Sequence, residues 1–266
     1  MNDITKNSVI YFLHRSTFFL IIFPLIVSYK SNSLFLVILS LLFTYLLIKL
    51  VNYFKKYKLT KYIIFVIIIF FIFYMFMLLV DFTNYVYLKE TKDIYIYLLF
   101  IVTTIYISFK KVDTITKASF ILFIISIFMF IIQSNQLFIS LDYSNNLVNS
   151  NINIFDLLVD SFKISFISLI PFLIVEDTKK IRNFYLISSF TILITSIFTL
   201  NIIDNNLLVL YEYPIVKLLS YINIFGFINR LESLFSLMWI TDIIICLSLC
   251  INYIKSKVHI IHNHHK

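Results

Sequence analysis

Small residues and charge are what this chain has least of. Its 266 residues include one glycine (Gly226), one alanine (Ala118), three prolines (Pro24, Pro171, Pro214), two cysteines and one tryptophan, and only 14% are charged. So little charge excludes an ordinary soluble domain, which has a water-facing surface to cover. Scarce glycine and alanine remove the residues that usually let transmembrane helices approach closely, so Ser and Thr must serve instead. The two cysteines, Cys246 and Cys250, sit four apart in an apolar run and read as core thiols rather than a redox or metal pair. Hydrolytic triads, phosphate loops and nucleic-acid modules have no signature here, so an enzyme reading has no residues behind it and no cofactor is implied. A cleavable signal is not evident either, because the first apolar stretch is long and lacks a small-residue cleavage site.

What is present is apolar bulk, with 61% hydrophobic residues and a mean hydropathy of +0.95. Backbone that crosses a bilayer must satisfy its own hydrogen bonds, which leaves helices or a closed barrel. A barrel strand alternates polar and apolar positions, whereas 62–80 is a solid run of Ile, Phe, Val, Met and Leu. The fold class is therefore all-α, a polytopic transmembrane helix bundle. At about 20 residues per crossing, about eight segments are long enough, near 9–28, 34–54, 62–81, 94–109, 117–134, 154–175, 183–203 and 228–254.

The loops agree with that count. Lys49, Lys55, Lys56, Lys58 and Lys61 cluster at one connection, Lys110, Lys111 and Lys117 at another, and Lys179, Lys180 and Arg182 at a third. The tail carries Lys255, Lys257 and Lys266, while 135–153 has no Lys or Arg. Every second loop is basic, so the net charge of +8 marks cytoplasmic loops, and both termini are expected in the cytoplasm. No internal repeat or linker divides the chain, giving one transmembrane domain over 1–254 and a His/Lys tail over 255–266. Tyr213-Pro214 is followed by Ile215, Val216, Leu218, Leu219 and Ile222 at helical spacing, which predicts a short helix on or in the outer surface.

The stretch from Tyr213 to Tyr253 carries a resemblance. It reads Tyr213-Pro214, then Gly226-Phe227-Ile228-Asn229-Arg230-Leu231-Glu232, then Trp239 and an apolar helix. This resembles the tract of the spore germination B-subunit family in which Tyr-Pro precedes Arg-Leu-Glu and a Trp. Weaker echoes lie at Asp81-Phe82, at Leu88-Lys89-Glu90-Thr91 and at Lys179-Lys180. That family belongs to the amino acid/polyamine/organocation transporter superfamily. The resemblance implies a transporter-like bundle lacking the last two of about ten helices. It also implies a germinant-receptor subunit that senses a small nutrient, an amino acid above all, and partners in receptor A and C subunits. The location implied is the inner spore membrane or bacterial plasma membrane. Secondary transport of amino acids or amines is the alternative, and a ligand-blind scaffold is a third.

The candidate site residues each carry two readings. Arg230 and Glu232 point to different faces of a helix, so each wants its own partner or snorkels to water. Asp242 lies about 15 Å further along the same span, near the midplane, as an ion or amine ligand or as a neutral acid bonded to a hydroxyl. Asp156, Asp160 and Lys163 share one face of the sixth span, and Ser161, Ser165 and Ser168 a nearly opposite one. The transporter analogy, with its broken first and sixth spans, puts Ser165, Ser168 and Pro171 at the border of a ligand pocket; plain helix packing through small serines is the alternative. In the first span His14, Arg15 and Pro24 mark either a break facing an acidic ligand group or basic groups snorkelling to lipid phosphates. Ser188, Thr191, Thr195 and Thr199 form a packing stripe in the seventh. His259, His262, His264 and His265 make an incidental solvated tail rather than a metal site.

Overall fold

The computed structural model describes residues 14–22, 25–26, 28–29, 32–54, 57–139, 153–174, 181–203, 210–220 and 231–263. Nine helices follow one another among these residues: α1 (Ser33–Phe54), α2 (Lys58–Val86), α3 (Asp93–Ser108), α4 (Val112–Ile139), α5 (Ile154–Ser168), α6 (Ile170–Ile174), α7 (Ile181–Ile202), α8 (Pro214–Ser220) and α9 (Leu231–Asn263). A further helical stretch occupies 14–22, and no strand occurs among the described residues. Six stretches are long and apolar enough to cross a membrane: Ser33–Phe54, Tyr62–Val86, Val112–Ile132, Ile154–Ile174, Tyr185–Ile202 and Ser233–Ser256. The 16 residues of α3 are apolar but reach only about 24 Å.

Polarity is inverted relative to a soluble protein. Phe70, Phe73, Val102 and Phe190 are each more than 60% exposed, while Ser40, Thr44, Ser161, Ser165, Ser168, Ser196 and Thr199 are fully buried. Water would drive the first group inward; hydrocarbon leaves them outside and rewards the burial of hydroxyls that find partners. These are the chemical features of a multi-pass helical membrane protein. Each of these seven hydroxyls satisfies itself on its own helix, as Thr44 does at Ser40 O (2.7 Å) and Thr199 at Thr195 O (2.8 Å). Having done so, it behaves as the small interface residue that glycine and alanine supply elsewhere.

The closest helix pair is α1 with α5. Ser165 Oγ donates across it to Ser40 O (2.8 Å), and the Thr44 and Ser168 hydroxyls meet at 2.9 Å. The long helix α9 is the axis of the bundle, packing on α2, α3, α4, α6 and α8. It runs on to Asn263, so the tail expected from 255 begins as helix. The short α8 appears where the apolar spacing placed it, with Ile215, Leu218 and Leu219 fully buried against the bundle.

Side-chain contacts fix which ends lie together. At one end Lys255 Nζ reaches Ser108 O and Oγ (3.4 Å each) and sits 3.8 Å from the Phe109 ring centroid, joining the end of α9 to the basic α3–α4 turn. At the other end the Tyr87 hydroxyl donates to Ser233 O at 2.6 Å, joining the α2–α3 turn to the start of α9. Two basic clusters therefore share one face of the bundle.

Candidate functional site

Residues 14–22 are buried on every side. A helix buried all round runs through the interior of a bundle, and this one carries two basic side chains there. His14 is fully buried; its Nδ1 lies 2.8 Å from Ser188 Oγ of α7. Its ring packs 5.1 Å from Tyr185 and 5.3 Å from Phe172. Arg15 Nη1 donates to Ser126 Oγ of α4, and its guanidinium carbon lies 5.5 Å from the Phe19 ring and 5.8 Å from Phe130. The snorkelling reading of His14 and Arg15 is not what the structure shows: both face the protein interior.

Asp242 of α9 is 5% exposed. Its Oδ1 is buried with no hydrogen-bond partner among the described residues. It lies nine residues beyond Ser233 and fourteen before Ser256, so about 14 Å and 21 Å from the two ends of the span. A carboxyl group and a guanidinium are thus both buried within the bundle.

A cluster of aromatic rings joins 14–22, α2, α9 and the start of α8. Phe82 of α2 meets Tyr213 at 5.1 Å and Trp239 at 6.0 Å, Trp239 meets Phe19 at 5.7 Å, and Tyr85 meets Tyr213 at 5.3 Å. Phe19, Phe82, Tyr213 and Trp239 line a cavity of about 10 Å³ together with Ser16 and Ile243, room for roughly one water. Ser16 and Ile243 directly follow Arg15 and Asp242 in the chain, so the two segments that carry these ionisable groups both border the cavity. Tyr213 and Trp239, 26 positions apart and both in the tract that carries the resemblance, meet here. Chemically the arrangement offers π-faces and a carboxylate to a cation, and a guanidinium to an anionic group.

The other candidate residues fall elsewhere. Ser165 and Ser168 lie in the α1–α5 seam, bonded to Ser40 and Thr44, which is the packing alternative. Pro171 is buried in α6, where the chain pauses for one residue at Leu169. Leu169 keeps helical angles (φ −68°, ψ −29°) and its N–H still bonds Ser165 O at 3.0 Å. The interruption is a kink from the missing proline donor, not an unwound segment. Asp160 pairs with Lys163 at 2.8 Å and accepts from the Tyr29 hydroxyl at 2.8 Å, with Lys163 66% exposed, so this pair sits at the rim. Ser188, Thr191, Thr195 and Thr199 are buried, and Ser188 adds a bond to His14. Pro214 is buried at the start of α8. Arg230, Gly226, Pro24, His264 and His265 lie outside the described residues, as do the side chains of Glu232, His259 and His262.

Sequence reasoning did not single out Ser126, Tyr185 or Phe82 as site residues. A signal existed for Ser126, which follows Ser119 by seven positions in an otherwise apolar helix, a repeat that puts both on one face. Tyr185 begins an apolar helix and donates its hydroxyl to Leu41 O, a contact no local pattern encodes. No family model, curated protein or solved structure matches the chain.

Proposed function

We propose that this chain is the ligand-sensing integral-membrane subunit of a spore germinant receptor, responding to a small nutrient that carries both an ammonium and a carboxylate. One observation carries the reading: the tract that resembles the germination B subunits brings Tyr213 and Trp239 onto a cavity bordered by the two segments that carry the buried Arg15 and Asp242. Arg15 suits the carboxylate of an amino acid, Asp242 and the rings suit its ammonium, and Ser126 and Ser188 hold the basic pair in place. The cavity takes about one water as it stands, so ligand entry needs a second arrangement of 14–22 against α9, favoured because the ligand binds that arrangement better. The architecture that goes with this reading has eight crossings, counting 9–28 and α3, in a transporter-like order without the last two helices. Both termini are cytoplasmic, and receptor A and C subunits are the partners.

Germination of spores lacking the chain, tested against single amino acids, checks this directly. Loss of response to at least one amino acid is expected. Arg15→Gln and Asp242→Asn should raise its half-maximal concentration by about 10-fold to 100-fold, the worth of a hydrogen bond to a charged group. Normal germination to every nutrient overturns the reading. A second reading, secondary transport of amino acids or amines, is favoured specifically by Asp242, since a mid-membrane acid suits a coupling-ion site. Uptake of a labelled amino acid into proteoliposomes, driven by an ion gradient and lost in Asp242→Asn, would move the assignment to transport.

A further inference from the structure

Away from the central site, an apolar groove of about 420 Å³ runs between α2, α3 and the last part of α9. Phe76 and Ile251 line its inner side, and Ile72, Met77, Ile101 and Ile105 line it along with Phe73 and Tyr97. Met77, Ile101 and Ile105 are themselves exposed on the outer surface of the bundle, so the groove opens toward hydrocarbon. One end has a chemical character of its own. Ile105 lies three residues before Ser108, and Ile251 four residues before Lys255, so both point within one turn of the basic face.

At that mouth Lys255 is held by Ser108 O and Oγ at 3.4 Å and lies over the Phe109 ring. Lys110 stands over the Tyr106 ring, 4.8 Å from its centroid, and Lys111 is exposed beside it. No carboxylate pairs with Lys110, Lys111 or Lys255 among the described residues, although Asp113 sits in the next turn. An ammonium has three donors, and two long bonds leave Lys255 able to hold an anion. Basic pockets between helices on one membrane face take anionic headgroups, and each such lysine contributes through the leaflet's negative charge.

From this juxtaposition of an apolar groove and an uncompensated lysine mouth, we propose that the groove between α2, α3 and α9 is a binding site for an anionic phospholipid. One acyl chain lies along Ile72, Met77, Ile101 and Ile105, and the phosphate rests on Lys255 and Lys110. The site is separate from the Arg15–Asp242 centre, and the proposal does not rest on the germinant reading. A lipid seated there ties α9 to the α2–α3 pair, so α9 connects the lipid leaflet to the central cavity through its own length.

Native mass spectrometry of the full-length chain in micelles tests it, with phosphatidylglycerol or phosphatidylcholine of matched acyl chains added. Phosphatidylglycerol should be retained at least about fivefold over phosphatidylcholine, the preference one lysine supplies. Lys255→Gln should lower phosphatidylglycerol retention about fivefold and phosphatidylcholine retention less, narrowing the preference, and Lys255→Arg should restore it. Met77→Trp, which fills the groove, should reduce retention of both lipids. Excess glycerol phosphate should not displace the bound lipid. Equal retention of the two lipids, an unchanged preference in Lys255→Gln, or displacement by glycerol phosphate would each overturn the proposal. An unaltered thermal unfolding midpoint in Lys255→Gln and Met77→Trp ties any loss to the groove rather than to folding.

Discussion

In the proposed site Arg15 and Asp242 act as opposite charges on two different segments, both buried deep inside the bundle. Removing one partner of a buried charged pair leaves the other uncompensated, which typically costs about 3–5 kcal/mol, whereas neutralising both can cost far less. Arg15→Gln and Asp242→Asn should therefore each destabilise the bundle by about that amount. The double variant should fall short of their sum by at least about 1 kcal/mol. Denaturant unfolding followed by circular dichroism in one detergent measures all four proteins. Additivity within about 0.5 kcal/mol would mean that the two charges do not act on each other. At this scale the sequence was legible only in halves. Asp242 announces itself as an acid at mid-span, and Arg15 as a base near a span end. Nothing in either local pattern says that both are buried in one interior, because that depends on how 14–22 threads between α4, α7 and α9.

Helices in this bundle meet through hydroxyls, and the α1–α5 seam has the densest set. Ser165 and Ser168 are fully buried there, and their stripe at helical spacing was readable from the chain. The partner stripe, Ser40 and Thr44 at i, i+4, has the same period and was equally available to inspection. Which of packing and ligand contact the serines serve was not readable, since both uses need a small polar residue on a buried face. Packing predicts a clear ordering of variants. Ser168→Ala loses one hydroxyl contact with Thr44 and should cost about 0.6 kcal/mol, the mean for interhelical bonds in membranes. Ser168→Leu forces a branched side chain into a filled seam and should cost about 1–3 kcal/mol. Thermal unfolding of the purified chain in detergent distinguishes them; equal, negligible effects would show that α1 and α5 do not close on this residue. Pro171 teaches a related lesson. A proline in a span signals a lost hydrogen bond, but whether the helix kinks or opens is decided by its neighbours, and here Leu169 stays helical.

Over the whole molecule, the alternation of basic and non-basic loops and the contacts between helix ends are independent observations that agree. The positive-inside rule groups the α3–α4 turn with the end of α9 on charge alone. The structure groups them by contact, through Lys255 on Ser108 and Phe109, and groups the α2–α3 turn with the start of α9 through Tyr87 on Ser233. Composition made the helical membrane class legible because hydrocarbon permits few solutions, and spacing made α8 legible because its apolar face is buried. Loop charge carries the sidedness, since lysine placement is selected against the membrane potential rather than by packing. The outcome is testable with single cysteines. In a chain where the buried Cys246 and Cys250 are replaced by alanine, Lys110→Cys and Lys255→Cys should resist a membrane-impermeant thiol reagent applied to intact cells and react after permeabilisation. Glu90→Cys, exposed just before α3, and Leu210→Cys, exposed just before α8, should react in intact cells. Because α3 spans only about 24 Å, it is the helix on which this pattern depends. If Glu90→Cys and Lys110→Cys react from the same side, α3 does not cross, and the number of crossings becomes odd with the two termini on opposite faces.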